Sequence, residues 1–234
     1  KNNKKIVNDT IEKKLSLSKL QSTIWEKTNN TSSEEFSLSE IISELSLLQQ
    51  QLAEKLNGDL LPQKQLYQAI DIFIDEIGFS GPGLQLLPES SLTNLSFCIM
   101  HRTGNEITLS VIFYHLLKSL GFNAMISDLE EGVALAVRLS SSEIILIDAI
   151  SGASEYLISN DDVKTSLVSD IAHYAKPLPY EELVKLLLTE QKLALLEEDL
   201  YEQALCCVEV LMQLQPEDPY ERRDRGLVLN QLDC

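Results

Sequence analysis

The sequence offers few side chains whose type and spacing suit chemistry. Cys98 and His101 are three residues apart, which on a helix places a thiol beside an imidazole, as nucleophilic catalysis requires. No acid or oxyanion-binding feature accompanies them, so chance proximity is the preferred interpretation. His115 lies in an apolar segment and is expected to be a hydrogen-bonded core residue, whereas His173 has no evident partner. No His, Cys and carboxylate residues have metal-ligand spacing, so neither a metal nor a cofactor is expected.

The cysteines indicate a reducing environment. Cys98, Cys206, Cys207 and Cys234 show no disulfide framework, and adjacent Cys206 and Cys207 fit the apolar side of a helix. We therefore expect a cytoplasmic protein. No apolar run is long enough to cross a bilayer, and no signal-peptide pattern is present at the N-terminus.

The charge of −17 is unevenly distributed along the chain. Residues 1–30 contain seven lysines and three acids, whereas the remainder contains 12 basic and 33 acidic residues. Such an acidic body repels nucleic acid and anionic membranes, so neither is expected as a partner. The basic N-terminal stretch is interpreted as a solvated helix face.

The N-terminal part is predicted to be helical. Residues 6–27 are loosely amphipathic, and residues 29–33 form a polar linker. Ser37 and Glu40 have the spacing of a capping box, and the apolar positions that follow predict a helix that ends before Gly58.

The middle of the chain predicts further helices. Apolar spacing predicts a helix over 66–77, a loop follows over 78–93, and another helix is expected over 91–101. Residues 105–120 are apolar on every side of a helix, which is typical of a helix buried in the middle of a domain.

After Gly121 the pattern changes to short strands. Runs rich in Val, Ile and Ala, separated by turn residues, predict an antiparallel sheet, and a short fourth strand is expected over 155–158. The runs are 123–129, 133–139 and 143–148. Helices are expected again over 180–196, 200–214 and 221–232. Their size, with Ala204, Leu211 and Pro216 in register, resembles about one and a half tetratricopeptide units.

Three groups of residues carry a resemblance as an ordered set. The first is Asn94-Leu95, Arg102-Thr103-Gly104-Asn105-Glu106-Ile107-Thr108-Leu109-Ser110 and Leu120-Gly121-Phe122. The second is Ile147-Asp148 followed by Gly152. The third is Pro216-Glu217-Asp218-Pro219, Arg223-Asp224-Arg225-Gly226-Leu227 and Gln231-Leu232-Asp233-Cys234. Together they resemble the SirB-type bacterial family over roughly residues 60–234.

The resemblance implies an α+β fold. It consists of a transglutaminase-like (papain-like) core with a central buried helix and a small antiparallel sheet, between an N-terminal helical region and C-terminal tetratricopeptide-like helices. The implied boundaries are 1–58, 59–176 and 177–234. In active members of the wider superfamily, a Cys at the N-terminus of the central helix is the nucleophile. A His on the next strand is its base, and an Asp on the strand after orients that His.

This chain departs from that triad at two of its three positions. The nucleophile position falls near Glu106, where there is no Cys, and Ser110, one turn further along, lacks a base. The position of the His falls at Val133 or Ala134, and the Asp is present as Asp148. The resemblance therefore implies a scaffold that has lost its nucleophile and its base.

Three hypotheses of function follow. The first is a non-catalytic binding or regulatory protein with a protein or peptide partner, in which Asn94, Arg102, Gly104, Asn105 and Asp148 maintain the architecture of the former cleft. The second is a hydrolase or acyl transferase that uses a non-standard site in the degenerate cleft.

For that second hypothesis, Glu106 and Asp148 would flank the substrate. The preferred interpretation of Glu106 is a capping box with Thr103. The third hypothesis is a partner-stabilising subunit, with the helices at 6–27 and 37–57 docked on another protein. The oligomeric state stays open.

A dense basic group stands apart in the acidic body. The cluster Arg222-Arg223-Asp224-Arg225 could bind an anionic ligand, and Gly226 follows it as part of the family motif. Pairing with nearby acids is the preferred interpretation. Those acids are Glu217, Asp218, Glu221 and Asp224.

Overall fold

The computed structural model describes most of the chain. The described residues are 36–84, 86–129, 132–158, 174 and 176–233, with the side chain of Leu38 excepted. The helix expected at 6–27, the linker at 29–33, His173 and Cys234 lie outside them. The chain divides into two compact units, one of residues 45–187 and one whose described residues are 36–44 and 188–233. The domain boundaries expected at 58/59 and 176/177 stay a prediction.

Helices make up the first part of the described chain. They are α1 (Leu38–Lys55), α2 (Pro62–Asp71) with a π-helical turn at Ile72–Glu76, α3 (Glu89–Leu92), α4 (Leu95–His101) and α5 (Glu106–Ser119). The capping box at the start of α1 is confirmed. Ser37 N donates to Glu40 Oε2 at 2.7 Å, and Glu40 N donates to Ser37 Oγ at 3.3 Å.

The segment before α4 differs from its prediction. The loop predicted over 78–93 contains the helical turn α3, and the helix predicted over 91–101 begins at Leu95. Thr93 Oγ1 donates to a carbonyl oxygen of the turn at 3.0 Å. The Asn94 side chain accepts from Phe97 N, in the first turn of α4, at 3.0 Å. Two side chains that bond to the backbone therefore end one helix and begin the next.

The prediction of an antiparallel sheet is confirmed, and its strands follow one another in the order β1-β2-β3-β4. They are β1 (Ala124–Leu129), β2 (Gly132–Arg138), β3 (Glu143–Ile147) and β4 (Ser154–Ile158). The free edge of β1 is covered by the chain before the next helix. Leu178 N donates to Ile126 O at 2.7 Å, and Asp128 N donates to Lys176 O at 3.0 Å.

The prediction that α5 is a buried central helix is also confirmed, because it packs on β1 and β2 with apolar residues on most of its sides. Its buried apolar residues are Leu109, Val111, Ile112, Phe113, Leu116 and Leu117. Phe113 stacks on Phe73 of the π-helical turn at 4.2 Å, and Phe73 stacks on Phe79 at 4.4 Å. This aromatic stack fixes α5 against the segment that leads to the candidate site.

The C-terminal helices agree with their prediction. They are α6 (Tyr180–Glu197), α7 (Tyr201–Leu214) and α8 (Pro219–Gln231). Helix α8 begins two residues earlier than predicted because the Asp218 side chain caps it, accepting from Tyr220 N at 2.8 Å, with Pro219 in its first turn. In the part of the chain that the structure describes, no helix has the length and hydropathy to cross a membrane.

Candidate functional site

Several of the candidate site residues lie around the N-terminus of α5. Ser80 N donates to Arg102 O at 3.0 Å, and Gly104 N donates to Ser80 O at 3.3 Å. The same segment touches the turn between β3 and β4, since a Cβ added to Gly81 would lie 3.1 Å from Ile150 Cγ2. The segment around residue 80 therefore contacts both the loop before α5 and the turn that holds Asp148.

Asn94 and Asn105 cap the two helices beside this point. The Asn94 side chain accepts from Phe97 N at 3.0 Å, and that of Asn105 accepts from Thr108 N at 2.9 Å. The backbone N–H of Asn105 donates to Leu92 O at 3.1 Å. Both side chains satisfy amides that a helix start leaves free, so each has a structural role.

Arg102 and Gly104 shape the loop between α4 and α5. Arg102 ends α4 in the left-handed region (φ 58°), its guanidinium donates to Ile99 O, and it lies 5.4 Å from the centre of the Phe79 ring. Gly104 is buried, and a Cβ there would lie 2.9 Å from Cys98 Sγ. A larger residue than glycine does not fit this position without displacing a buried side chain.

Glu106 is exposed and is the first residue of α5. The capping box predicted for it with Thr103 is wrong, because Asn105 is the N-cap and Thr103 Oγ1 donates to Ser80 O at 3.3 Å. The loop is extended at Thr103, so the helix begins after it. Ser110 is buried within the same helix, as a packing residue would be.

Asp148 is bound by its own turn. Its Oδ1 accepts from Ile150 N at 2.8 Å and from Ser151 N at 3.4 Å, and its Oδ2 accepts from Ser151 Oγ at 2.5 Å. Partial burial opposes ionisation of this carboxyl, but these hydrogen bonds outweigh it and hold its pKa below the ordinary value. The carboxylate therefore shapes the turn between β3 and β4.

The register of the sheet brings β2 to the turn that holds Asp148. Leu135 on β2 and Ile147 on β3 are the last pair of their ladder, so Ala134 and Asp148 follow directly beyond that pair. In active members of the superfamily, the His that acts as the base lies on the strand before the orienting Asp, which is the place of Ala134 in this chain. Ala134 supplies a methyl group, so no side chain there can accept a proton.

Cys98 and His101 do not form the pair that their spacing permits. Cys98 is fully buried and its thiol donates to Leu92 O at 3.2 Å, whereas the His101 ring lies against Phe97. Burial raises the pKa of the Cys98 thiol well above its ordinary value, which disfavours the nucleophilic thiolate. Among the described residues, no group of His, Cys and acidic side chains has the geometry of a metal site.

His115 was expected to be a hydrogen-bonded core residue. It is half-buried, and its Nε2 lies 3.2 Å from Gln49 Nε2. The prediction of a hydrogen bond is confirmed, and the partner is on α1.

Sequence reasoning missed a charged cluster among the C-terminal helices. Lys192 on α6 is 3% exposed, and its Nζ donates to Glu221 Oε1 at 2.7 Å and to Asp224 Oδ2 at 2.8 Å, both on α8. Burial alone would lower the pKa of Lys192, but its two acidic partners raise it. The sequence did contain a signal for this cluster. It was a lysine inside an apolar helical pattern, together with two acids three residues apart on a later helix.

The basic group on α8 pairs only partly as expected. Arg222 lies 3.5 Å from Glu217, and Arg223 donates to Asp224 Oδ1 at 2.7 Å. The expected pairing with Glu221 is wrong because that carboxylate faces Lys192. Asp218 caps the helix. Arg225 and Gly226 are exposed.

A small antiparallel sheet against a central helix, followed by paired helices, defines a transglutaminase-like core with a helical-repeat tail. Family models agree with this class: that of the transglutaminase-like superfamily matches residues 39–204, and that of the tetratricopeptide repeat matches residues 191–234. No solved structure matches the chain significantly.

Bacterial proteins are similar over most of the chain. UPF0162 protein YchA of Escherichia coli K12 is 31% identical over 193 residues, which cover 78% of this chain and 70% of that protein. Protein SirB1 of Salmonella typhimurium is 27% identical over 198 residues, which cover 81% of this chain and 70% of that protein. The chain therefore belongs to the transglutaminase-like superfamily and, within it, to the family of YchA and SirB1.

Proposed function

We propose that this chain is a non-catalytic binding or regulatory protein that acts through protein–protein interaction. The observation that carries the proposal is the state of Asp148. Both of its carboxylate oxygens accept hydrogen bonds within its own turn, and the residue of β2 just beyond the last ladder pair beside it is Ala134. The orienting acid of the superfamily's triad thus has a structural task and no base to orient.

The candidate nucleophiles support the same conclusion. Cys98 is buried with its thiol bonded to a carbonyl oxygen, and its raised pKa keeps it protonated at neutral pH. Ser110 is buried one turn inside α5, and Glu106 occupies the position of the nucleophile at the helix start. Asn94 and Asn105 cap their helices, which supports a scaffold that is maintained for its shape rather than for chemistry.

The C-terminal helices and the amino-acid composition support the kind of partner and the cellular setting that we propose. The tetratricopeptide match indicates a capacity to bind a protein or peptide partner. None of the described cysteines, Cys98, Cys206 and Cys207, forms a disulfide, which fits a cytoplasmic setting. The strongly acidic body disfavours nucleic acid and membrane as partners.

The alternative is an enzyme that uses Glu106 and Asp148 as a carboxylate pair. Both side chains are exposed, which a substrate would require. The hydrogen bonds from Ser151 and Ile150 stabilise the ionised form of Asp148, which suits electrostatic stabilisation better than proton transfer.

The test is an acyl-transfer assay at neutral and mildly alkaline pH. Hydrolysis of an activated aryl ester and incorporation of a fluorescent amine into casein are measured for the wild-type chain and for Cys98→Ala, Ser110→Ala and Glu106→Gln. We expect rates equal to those of buffer for all four proteins. Turnover by the wild type that any one of these substitutions abolishes would overturn the proposal.

A further inference from the structure

The turn between α1 and α2 contains the one Asn-Gly pair of the sequence, Asn57-Gly58. Both residues are exposed. The side-chain amide of an asparagine can react with the backbone nitrogen that follows it, because attack of that nitrogen on the side-chain carbonyl carbon closes a five-membered ring. A Cβ on the following residue shields its nitrogen, so glycine is the residue type that leaves this attack least hindered.

The hydrogen bonds of the turn favour this reaction. Asp59 N donates to Asn57 Oδ1 at 3.0 Å, so the Asn57 side chain folds over the backbone of Gly58. The same bond polarises the amide carbonyl and stabilises the negative charge that develops on Oδ1 when a nucleophile adds to Cγ. Gly58 N donates no hydrogen bond to any described residue, so hydroxide can remove its proton.

The surroundings of the turn leave the two reacting atoms accessible. A Cβ added to Gly58 would meet nothing within 4 Å, so no neighbouring side chain covers that residue. Helix α2 binds the main chain on either side of the reacting atoms. Gln68 Oε1 accepts from Asn57 N at 2.8 Å, and Gln65 Nε2 donates to Gly58 O at 2.9 Å. Neither bond uses Asn57 Cγ or Gly58 N.

We propose that Asn57 is a site of spontaneous deamidation, a covalent modification that converts it to aspartate and isoaspartate. Hydroxide removes the proton of Gly58 N, the nitrogen attacks Asn57 Cγ, and the bond from Cγ to Nδ2 breaks. Nδ2 takes a proton from water and leaves as ammonia, which restores the hydroxide and leaves a cyclic succinimide. Water then opens the ring at either carbonyl. One water is consumed, one ammonia is released, and nothing is oxidised or reduced.

The modification changes the connection between α1 and α2. Either product places a new carboxylate beside Asp59, just after the C-terminal end of α1. Isoaspartate also lengthens the main chain by one methylene, because the chain then runs through the former side chain. This displaces the backbone atoms that Gln65 and Gln68 bind. The inference is independent of the proposed function, since it concerns a turn outside the candidate site.

The test uses the full chain, incubated without denaturant at mildly alkaline pH in water enriched with heavy oxygen. The protein is then digested and mapped by mass spectrometry. We expect residue 57 to exchange its amide for a carboxyl group that carries one heavy oxygen atom. Asn123 is the internal control, because it is also exposed but precedes Ala124 at the start of β1. It should stay unmodified over the same period.

Two variants and a peptide separate the chemistry from the fold. Gly58→Ala should abolish the modification, and its Cβ fits the turn without a clash. Asn57→Gln should also abolish it, because the longer side chain would have to close a larger ring. A synthetic peptide of residues 52–62 reports the reaction in the absence of the fold. The same glycine substitution in that peptide tests the chemistry even where the protein variant does not fold.

Three results would overturn the inference. They are an intact Asn57 in the native chain under conditions in which the peptide reacts, modification of Gly58→Ala at the wild-type rate, and modification of Asn123 as fast as that of Asn57. The first would show that the turn protects the amide. None of the three bears on the proposed function, which the acyl-transfer assay tests separately.

Discussion

Replacing Lys192 by methionine removes one buried cation and keeps nearly the same side-chain length. The Lys192 side chain is 4% exposed, against 10% for Glu221 and 14% for Asp224. After the substitution Asp224 keeps its bond from Arg223, but Glu221 loses its hydrogen bond from Lys192. Its other carboxylate oxygen is already buried without a hydrogen-bond partner among the described residues.

Lys192→Met is expected to lower the free energy of unfolding because it leaves a buried carboxylate without its cation. Breaking one partner of a buried pair costs about 3 to 5 kcal/mol, and the slight exposure of both acids places this case near the lower figure. The matched control, Arg225→Met, removes an exposed cation and should change the free energy of unfolding by less than about 0.5 kcal/mol.

The stability that Lys192 and Asp224 contribute changes with pH in a direction that their pKa shifts define. Asp224 has a lowered pKa in the folded state, so its contribution is present above the unfolded value of about 3.9 and is lost as the pH falls through the folded value. Lys192 has a raised pKa, so its contribution is present below about 10.4 and is lost as the pH rises through the folded value. The destabilisation by Lys192→Met should therefore be largest between these limits.

Urea denaturation followed by circular dichroism measures the effect at pH 7 and at pH 3.5. We expect the difference between Lys192→Met and the wild type to shrink at the lower pH. The triple variant Lys192→Met, Glu221→Gln and Asp224→Asn should be more stable than the single variant because it leaves no buried charge without a partner. A loss below about 1 kcal/mol at pH 7, typical of an exposed pair, would refute the reasoning.

Further predictions concern the candidate site. Gly104→Ala should cost about 1 to 3 kcal/mol in urea denaturation, because its Cβ would lie 2.9 Å from Cys98 Sγ. Ser151→Ala should raise the pKa of Asp148 toward about 3.9, as measured by carboxyl NMR, and the accompanying loss of stability should vanish as the pH falls below that value. Ala134→His should give an imidazole whose pKa exceeds about 6.5, because Ala134 and ionised Asp148 both follow directly beyond the ladder pair Leu135–Ile147.

A specific result would contradict each of these predictions. Gly58→Ala is the control for the first, since a Cβ there meets nothing within 4 Å; an equal cost for both variants would exclude a steric role for Gly104. An unchanged Asp148 pKa in Ser151→Ala would show that the Ser151 hydroxyl does not hold the carboxylate. An imidazole that titrates below about 6.5 in Ala134→His would argue against proximity to Asp148.

The sequence predicted the helices and strands well because their periodicity is local. The capping box at Ser37 and the all-round apolar pattern of α5 are short-range signals, and both were confirmed. Missed features depend on what a side chain meets in three dimensions. Thr103 looked like a helix cap, but its pairing with Ser80, distant in sequence, keeps the backbone extended there.

For the candidate site too, local sequence signals were predictive, whereas contacts in three dimensions were not. Its residues were found through an ordered set of motifs, yet their roles required contacts. Nothing in the sequence distinguishes an Asp148 that orients a base from one bound by Ser151. The charge group on α8 was likewise incomplete without Lys192, which is 29 residues from Glu221 along the chain. Ion pairs between residues so far apart along the chain produce no periodic pattern in the sequence.

Under the proposed function, none of the described side chains is an activated nucleophile. The most direct test of this central claim is native labelling with iodoacetamide and with a fluorophosphonate, followed by peptide mass mapping. We predict that Cys98 stays unmodified until the protein is denatured, because it is fully buried with a raised thiol pKa, and that Ser110 never reacts. Half-exposed Cys206 should react slowly, as an ordinary thiol does. Rapid, stoichiometric labelling of Cys98 or Ser110 in the native protein would contradict the account.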